Sequence, residues 1–455
     1  MSNGHLLPPT KSAMTNPCAP LTRAFPTLLL CLALTGAADP AAALTGVVIG
    51  WGSGSGKPTP PYDVNGASGT ATTVTAGYVH NCAIQAGTGN AVCWGNNFKG
   101  QRVTPDAVNG VSGTAADISA GHWYTCAIQA GTGEVFCWGG NVYGQATPPD
   151  AVNGVSGTAT DISAGDFHVC ATQASTGDVV CWGQDIFGEA TPPDAVNGVA
   201  GAAADISAGY AHSCAIQAGS GNVVCWGDNS DGEATPPDSV NGVAGTATEI
   251  AAGSGFSCAI QSGTGSAVCW GYDGSGQATP PDEVNGVLGT AAQISAGDLH
   301  ACAVQVGTGS AICWGYDGSG RATPPDFVDA GTTAGISAGA FHTLVFGEFA
   351  VDRDGDGLED QLDNCMEVAN VAQDDTDGDD CGNACDADYN NDGVVGHPDF
   401  FEFAPTFGTV GNEDKCHSGL IPGCIVGFSD FGFVVAAFGS TPGPSGTTAG
   451  TTACP

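Results

Sequence analysis

A Cys-Trp-Gly signature returns every 44 residues, with its tryptophan at Trp94, Trp138, Trp182, Trp226, Trp270 and Trp314. One structural unit has therefore been copied along most of the 455-residue chain. Each unit carries an upstream cysteine, at Cys82, Cys126, Cys170, Cys214, Cys258 and Cys302, always 11 residues before Cys93, Cys137, Cys181, Cys225, Cys269 or Cys313. The intervening segment, as in Cys82-Ala-Ile-Gln-Ala-Gly-Thr-Gly-Asn-Ala-Val-Cys93, has apolar residues flanking a Gly-Thr-Gly turn equidistant from both cysteines. Such a segment reads as a β-hairpin with the two sulfurs directly opposite each other.

The ends of the array complete each other. Val48-Ile49-Gly50-Trp51-Gly52 is an orphan second half, and Phe341-His342-Thr343-Leu344-Val345-Phe346 an orphan first half. In the composite seventh unit Leu344 holds the place of the first cysteine and Gly50 that of the second, so both members of the pair are missing together. An open solenoid has no reason to begin and end on complementary halves, whereas a ring zipped shut by its termini does. The expected fold is all-β: a seven-bladed β-propeller over residues 44–349, closed by pairing of its terminal half-blades. The 72 glycines and 26 prolines suit short strands and many turns.

Ahead of the array, Lys11 and Arg23 precede an apolar stretch from Phe25 to Ala38, too short to span a bilayer, and then small residues as far as Ala43. Residues 1–43 read as a secretory signal, with Met14 as an alternative start, and Leu30 before Cys31 argues against lipidation. Export fits the 20 cysteines, 12 of them in hairpin pairs and six between Cys365 and Cys454. Disulfides are the first reading and zinc the alternative; zinc fits less well because it wants clustered ligands rather than one cysteine pair per blade. Each cross-strand bond should stabilise its blade by roughly 2–3 kcal/mol. A net charge of −38 with eight Lys plus Arg argues against nucleic acid and anionic membrane surfaces as partners, and favours cations. No later segment is apolar enough to span a membrane. A secreted monomer is expected.

The halves Ala208-Gly209-Tyr210-Ala211-His212-Ser213-Cys214-Ala215-Ile216 and Val224-Cys225-Trp226-Gly227 resemble the regulator of chromosome condensation repeat family, over residues 44–348. That resemblance implies a seven-bladed propeller. The family includes nucleotide-exchange factors, secreted bacterial binding proteins and an inhibitor of β-lactamases, so it implies a fold more than a function. Export, acidity and paired cysteines set this chain apart from the chromatin-associated members and place it nearer exported bacterial ones.

His80, His168, His212, His300 and His342 share one repeat position, replaced by Tyr124 and Phe256 in the other two units. A catalytic group is needed once, so a residue repeated five times reads as packing, and the repeated tryptophans likewise. The near-identical Ala-Thr-Pro-Pro-Asp-Ala-Val-Asn-Gly connectors read as stiff structural loops. Variation is more informative. The tips after Trp-Gly read Phe98-Lys99, Val142-Tyr143 and Ile186-Phe187 in early units, then Ser230-Asp231, Gly274-Ser275 and Gly318-Ser319. The turns after Ala-Gly carry Tyr78, His122-Trp123, Asp166-Phe167 and Tyr210 before fading to Ser254-Gly255 and Asp298-Leu299. Tyr78, Phe98, Trp123, Tyr143, Phe167, Phe187 and Tyr210 are therefore the candidate contacts for an extracellular protein or glycan.

Composition shifts at Val351: residues 352–402 hold 17 of the 46 acidic residues and one basic residue, Arg353. The carboxylates are periodic. Asp352-x-Asp354-x-Asp356-Gly357 with Asp363 in twelfth place matches the oxygen-ligand register of a calcium loop. Asp375, Asp377, Asp379 and Asp386 repeat it without the glycine, and Asp388, Asn390, Asp392 and Asp399 repeat it with Gly393. Several hard oxygens at flexible geometry suit Ca2+ better than magnesium or a transition metal. Residues 350–387 resemble a thrombospondin type 3 repeat, carried by Asp363-Asn364-Cys365, Asn370, Gln373 and Cys385-Asp386; by that resemblance Cys365 pairs with Cys385. Residues 388–440 resemble a dockerin duplication, since Val394-Val395-Gly396-His397-Pro398-Asp399-Phe400 returns 31 residues later as Ile425-Val426-Gly427-Phe428-Ser429-Asp430-Phe431. The second copy has Gly419, Ile421 and Gly423 in place of acidic ligands, and a loop closed by Cys416 and Cys424 is expected to stand in for the ion. Residues 441–455 form a Gly/Pro/Thr tail.

Taken together these features point to a secreted, non-catalytic binding scaffold on a calcium-stabilised spacer or anchor. The alternatives are an inhibitor of an extracellular enzyme and a polysaccharide-active enzyme, the latter suggested by the dockerin-like tail. No paired carboxylates or nucleophile constellation stand outside the repeat and calcium patterns.

Overall fold

A computed structural model describes residues 45–53, 58–66 and 69–349. The signal segment, the three calcium registers, and the pairs expected for Cys365 with Cys385 and Cys416 with Cys424 lie outside the described residues.

Each unit folds as a three-stranded antiparallel sheet in sequence order; in the first blade the strands are Ala71–Ala76, His80–Gln85 and Ala91–Gly95. Five copies follow, beginning at Ala115, Ala159, Ala203, Ala247 and Ala291. The seventh sheet joins Thr332–Ala338 and His342–Glu348 to the N-terminal strand Val47–Gly52. Gly50 lies opposite Leu344. In the other six blades cysteine lies opposite cysteine, and the pairs are disulfide-bonded with Cα atoms 4.0–4.1 Å apart. The hairpin register that opposes the sulfurs is thus the one that pairs the strands.

The middle strand of each blade is buried at five successive positions rather than alternate ones. It has a strand on either side within its sheet and a neighbouring blade over each face, so both side-chain parities are enclosed. The core accordingly lies between blades: one cluster joins Tyr124, Cys126, Ile128 and Val152 of one blade unit to Ile162, Val169 and Trp182 of the next. The connectors anchor through one fully buried valine each, Val108, Val152, Val196, Val240 and Val284, with Val64 and Val328 at the ends.

The first strands surround the axis, and their Ala-Gly ends line a single axial cavity. Gly77, Gly121, Gly165, Gly209, Gly253, Gly297 and Gly339 meet there head to tail: a Cβ on each would stand 2.2–2.7 Å from the carbonyl oxygen of the next, and Gly339 abuts Gly77. That last contact closes the ring. Six of seven fifth-position residues add a second circle, in which Oγ of Thr75, Ser119, Ser163, Ser207, Ser295 and Ser337 accepts an N–H of the following blade at 2.9–3.0 Å.

Gly165→Ala should cost about 1–3 kcal/mol through overpacking at the axis. Leu344→Ala, at the zipped blade, should cost about 2–5 kcal/mol. Phe98→Ala, on an exposed tip, should stay within about 0.5 kcal/mol. Urea denaturation midpoints of the three variants check the ranking.

Candidate binding face

The turns after Ala-Gly and the tips after Trp-Gly emerge at the same end of the ring, because the first and third strands run the same way and the middle strand returns. Their aromatic side chains pack on one another. The Phe341 ring meets Tyr78 edge-on at 5.0 Å, and Tyr78 stacks on His122 at 3.7 Å. His122 stacks in turn on Phe167 at 5.0 Å and meets Trp123 edge-on at 4.4 Å. Tyr143 closes on Phe167 at 5.4 Å. His122 Nδ1 lies 3.0 Å from Asp166 Oδ2, which fixes the imidazole at the centre of the run. Trp123 and Tyr143 remain 37% and 46% exposed, so they combine a fixed orientation with a free face.

Of the seven aromatics anticipated from sequence, Tyr78, Trp123, Tyr143 and Phe167 belong to this contiguous run. Phe98, Phe187 and Tyr210 are exposed and stand outside it. Phe341 and His122 join it unanticipated. Tyr272 and Tyr316 are also exposed on this face, directly after Trp-Gly in blades five and six; they lie two residues before the tip pairs Gly274-Ser275 and Gly318-Ser319 that sequence reading compared. The aromatic surface therefore extends further round the ring than the tip residues indicated.

The repeated histidines do a structural job with a definite proton. His80 Nε2 lies 2.7 Å from Thr125 Oγ of the next blade, and His168, His212 and His300 stand 2.8 Å from Ser213, Ser257 and Thr343. Each of those hydroxyls spends its only hydrogen on a carbonyl of the preceding blade's tip loop, at Gln101, Glu189, Glu233 or Arg321. The hydroxyl must then accept from the imidazole, which fixes the Nε2–H tautomer. His342 donates likewise to Asn81 Oδ1, closing the series across the termini. The same four carbonyls accept Trp138, Trp226, Trp270 and Trp51 Nε1–H at 2.8–3.0 Å. In blade two, Tyr124 replaces histidine and donates its hydroxyl toward the backbone carbonyls of Gly165 and His168.

Two family models match the chain: the regulator of chromosome condensation (RCC1) repeat at residues 115–145 and 203–233, and the thrombospondin type 3 repeat at residues 351–373. Among solved structures, Prp20p from Saccharomyces cerevisiae is 16% identical with a TM-score of 0.51, covering 69% of this chain and 94% of that one. Human WBSCR16 is 15% identical with a TM-score of 0.51, covering 67% of this chain and all of the other. A search of curated proteins finds no sequence match. The ring carries RCC1 repeats in the fold of an RCC1-type propeller. At these identities the structural likeness concerns the fold alone. Six disulfides in one RCC1-type domain belong to an oxidising compartment. Among the described residues no helix is long and apolar enough to cross a membrane.

Burial sets the protonation of this RCC1-type ring. Desolvation lowers His80 and His300 to about 3, and His168, His212 and His342 to about 4. From pH 6.5 down to about 4, and to about 3 for His80 and His300, the unfolded chain takes up protons at these sites that the folded one refuses, so their contribution falls as pH falls. The axial carboxylates do the opposite. Asp161 and Glu249 are raised to about 7 and Asp205 to about 6, desolvation being the largest cause in each. Folded, they hold protons that the unfolded chain releases above pH 4, so their contribution falls as pH rises toward 7. The two sets oppose each other across one window. A D161N/E249Q variant should therefore lose stability more steeply than the wild type between pH 7 and pH 4, measured as urea midpoints; equal slopes would contradict the assignment.

Proposed function

We propose that this protein is a secreted, non-catalytic binding scaffold whose propeller presents the Tyr78, His122, Trp123, Tyr143 and Phe167 surface to an extracellular protein. The supporting observation is that run of mutually stacked rings on a face held by the closed ring. Half-exposed aromatics already fixed by their neighbours lose little conformational entropy on binding, and they supply large apolar contact area with polar edges. The acidic balance of the chain, −38 overall, favours a neutral or basic partner. Prp20p has binding properties toward Gsp1p and histones; for this chain that fold-level likeness supports only the binding of some protein partner.

The full-length protein carrying Trp123→Ala and Tyr143→Ala should keep the wild-type melting temperature within a few degrees and lose at least tenfold in affinity for its partner. Capture from culture supernatant and envelope extract, wild type beside variant, checks this. A partner retained equally by both would remove the reading, and a captured polysaccharide in place of a protein would make the face a glycan site.

The reading includes a C-terminal module stabilised by Ca2+ at Asp352, Asp354, Asp356 and Asp363, at Asp375, Asp377, Asp379 and Asp386, and at Asp388, Asn390, Asp392 and Asp399. Alternating oxygen ligands at that register, together with the thrombospondin type 3 match, support it. Chelation should open residues 352–440 to protease while the propeller stays intact on non-reducing gels. Equal cleavage with and without chelator would dismiss calcium.

A further inference from the structure

Two residues after each axial glycine stand Val79, Trp123, Phe167, Ala211, Leu299 and Phe341, but blade five has Gly255. That glycine has φ +75°, and a Cβ there would meet only Asp231 Oδ2 at 3.6 Å and Tyr272 Cβ at 3.7 Å. The missing side chain leaves a cleft of about 300 Å³ between blades four and five, lined by Tyr210, Asp228, Asp231, Glu233 and Tyr272 among others.

Glu233 sets its chemistry. The residue is 1% exposed, and its Oε2 accepts the Asp231 N–H at 2.8 Å. In blades one and three the corresponding residue finds a mate: Gln101 Nε2 donates to Asn96 Oδ1, and Gln184 Nε2 donates to Glu189 Oε1 at 3.2 Å, whereas Gln277 Nε2 in blade five has no partner among the described residues. In blade four the mate is Asp228, which has no hydrogen to give. Its oxygens are already taken by the Asn229 and Ser230 N–H groups and by the Ser230 hydroxyl. Glu233 Oε1 has no donor among the described residues and lies at the wall of the open cleft, where an incoming donor can meet it. The Asp231 carboxylate beside it forms no hydrogen bond or ion pair among the described residues either. The Tyr210 and Tyr272 rings, 48% and 42% exposed, form the other walls. No three acidic, histidine or cysteine side chains among the described residues converge as ligands of a bare metal ion. An organic cation with N–H donors fits where a metal does not, since it can donate to both carboxylates and rest against the ring faces.

We propose that the cleft between blades four and five binds a primary ammonium group, with Glu233 and Asp231 accepting its N–H bonds and Tyr210 and Tyr272 flanking it. The ammonium can belong to a lysine side chain or to a free amine. The site shares no residue with the aromatic run of blades one to three, so each can fail without the other.

Calorimetric titration of the full-length protein in saturating calcium, with cadaverine as probe, tests this. Saturable binding is expected, at least tenfold tighter than that of tetramethylammonium, which offers no N–H. Glu233→Gln restores the donor present at Gln101, Gln145 and Gln277, so it should keep the fold and lower cadaverine affinity at least tenfold. Asp231→Ser, the residue found at Ser275 and Ser319, should weaken binding independently. A lysine-containing peptide binding more tightly than cadaverine would identify a protein-borne lysine as the ligand, and equal affinity a free amine. No saturable binding, or unchanged affinity in both variants, overturns the proposal.

Discussion

The structure depends on a junction between blades rather than on any single blade. A buried imidazole donates to a hydroxyl of the next blade, and that hydroxyl donates back to a carbonyl of the first blade's loop. A tryptophan N–H of the next blade meets the same carbonyl. Each group has its hydrogen directed by the one before it, so the geometry is fixed in a dry environment where an unmatched group would be costly. The exceptions support the rule. Where histidine gives way to Tyr124 or Phe256, the hydroxyl position in the following blade holds Val169 or Ala301. Imidazole and partner hydroxyl are absent together, as the cysteines are at Gly50 and Leu344.

Closure of this ring frees its loops. The middle strands are enclosed on both faces and the axial cavity is lined by tightly abutting glycine backbone, so those positions vary little from blade to blade. Tips and turns at one end carry no such duty. The stacked run from Phe341 to Tyr143 and the cleft opened at Gly255 are two departures from the repeat on that same end. One gathers rings above adjoining blades; the other removes a side chain and opens a cleft beside a carboxylate oxygen that has no donor among the described residues.

Much of this was legible in the chain. The 11-residue cysteine step fixed strand pairing and register, and the complementary orphan halves around Trp51 and Leu344 fixed closure and blade number. The structural role of the histidines followed from their repetition. Their hydroxyl partners were legible too, as a coupled change one blade on, but that signal lies 43–45 residues away and has no local pattern to announce it. The candidate face was read less fully. Comparing only tip residues missed Tyr272 and Tyr316, and Phe341 was hidden in a half-blade.

What the sequence determined by itself was the repeat, its disulfide-paired hairpins, the ring and the periodic acidic tail, because each is written as spacing along one chain. What only the tertiary structure decided was which groups meet across blades: His122 between Tyr78 and Phe167, and Asp231 beside Gly255. Those contacts join residues from separate blades at distances set by the ring's curvature, and curvature is a property of packed sheets that no spacing within a single repeat encodes.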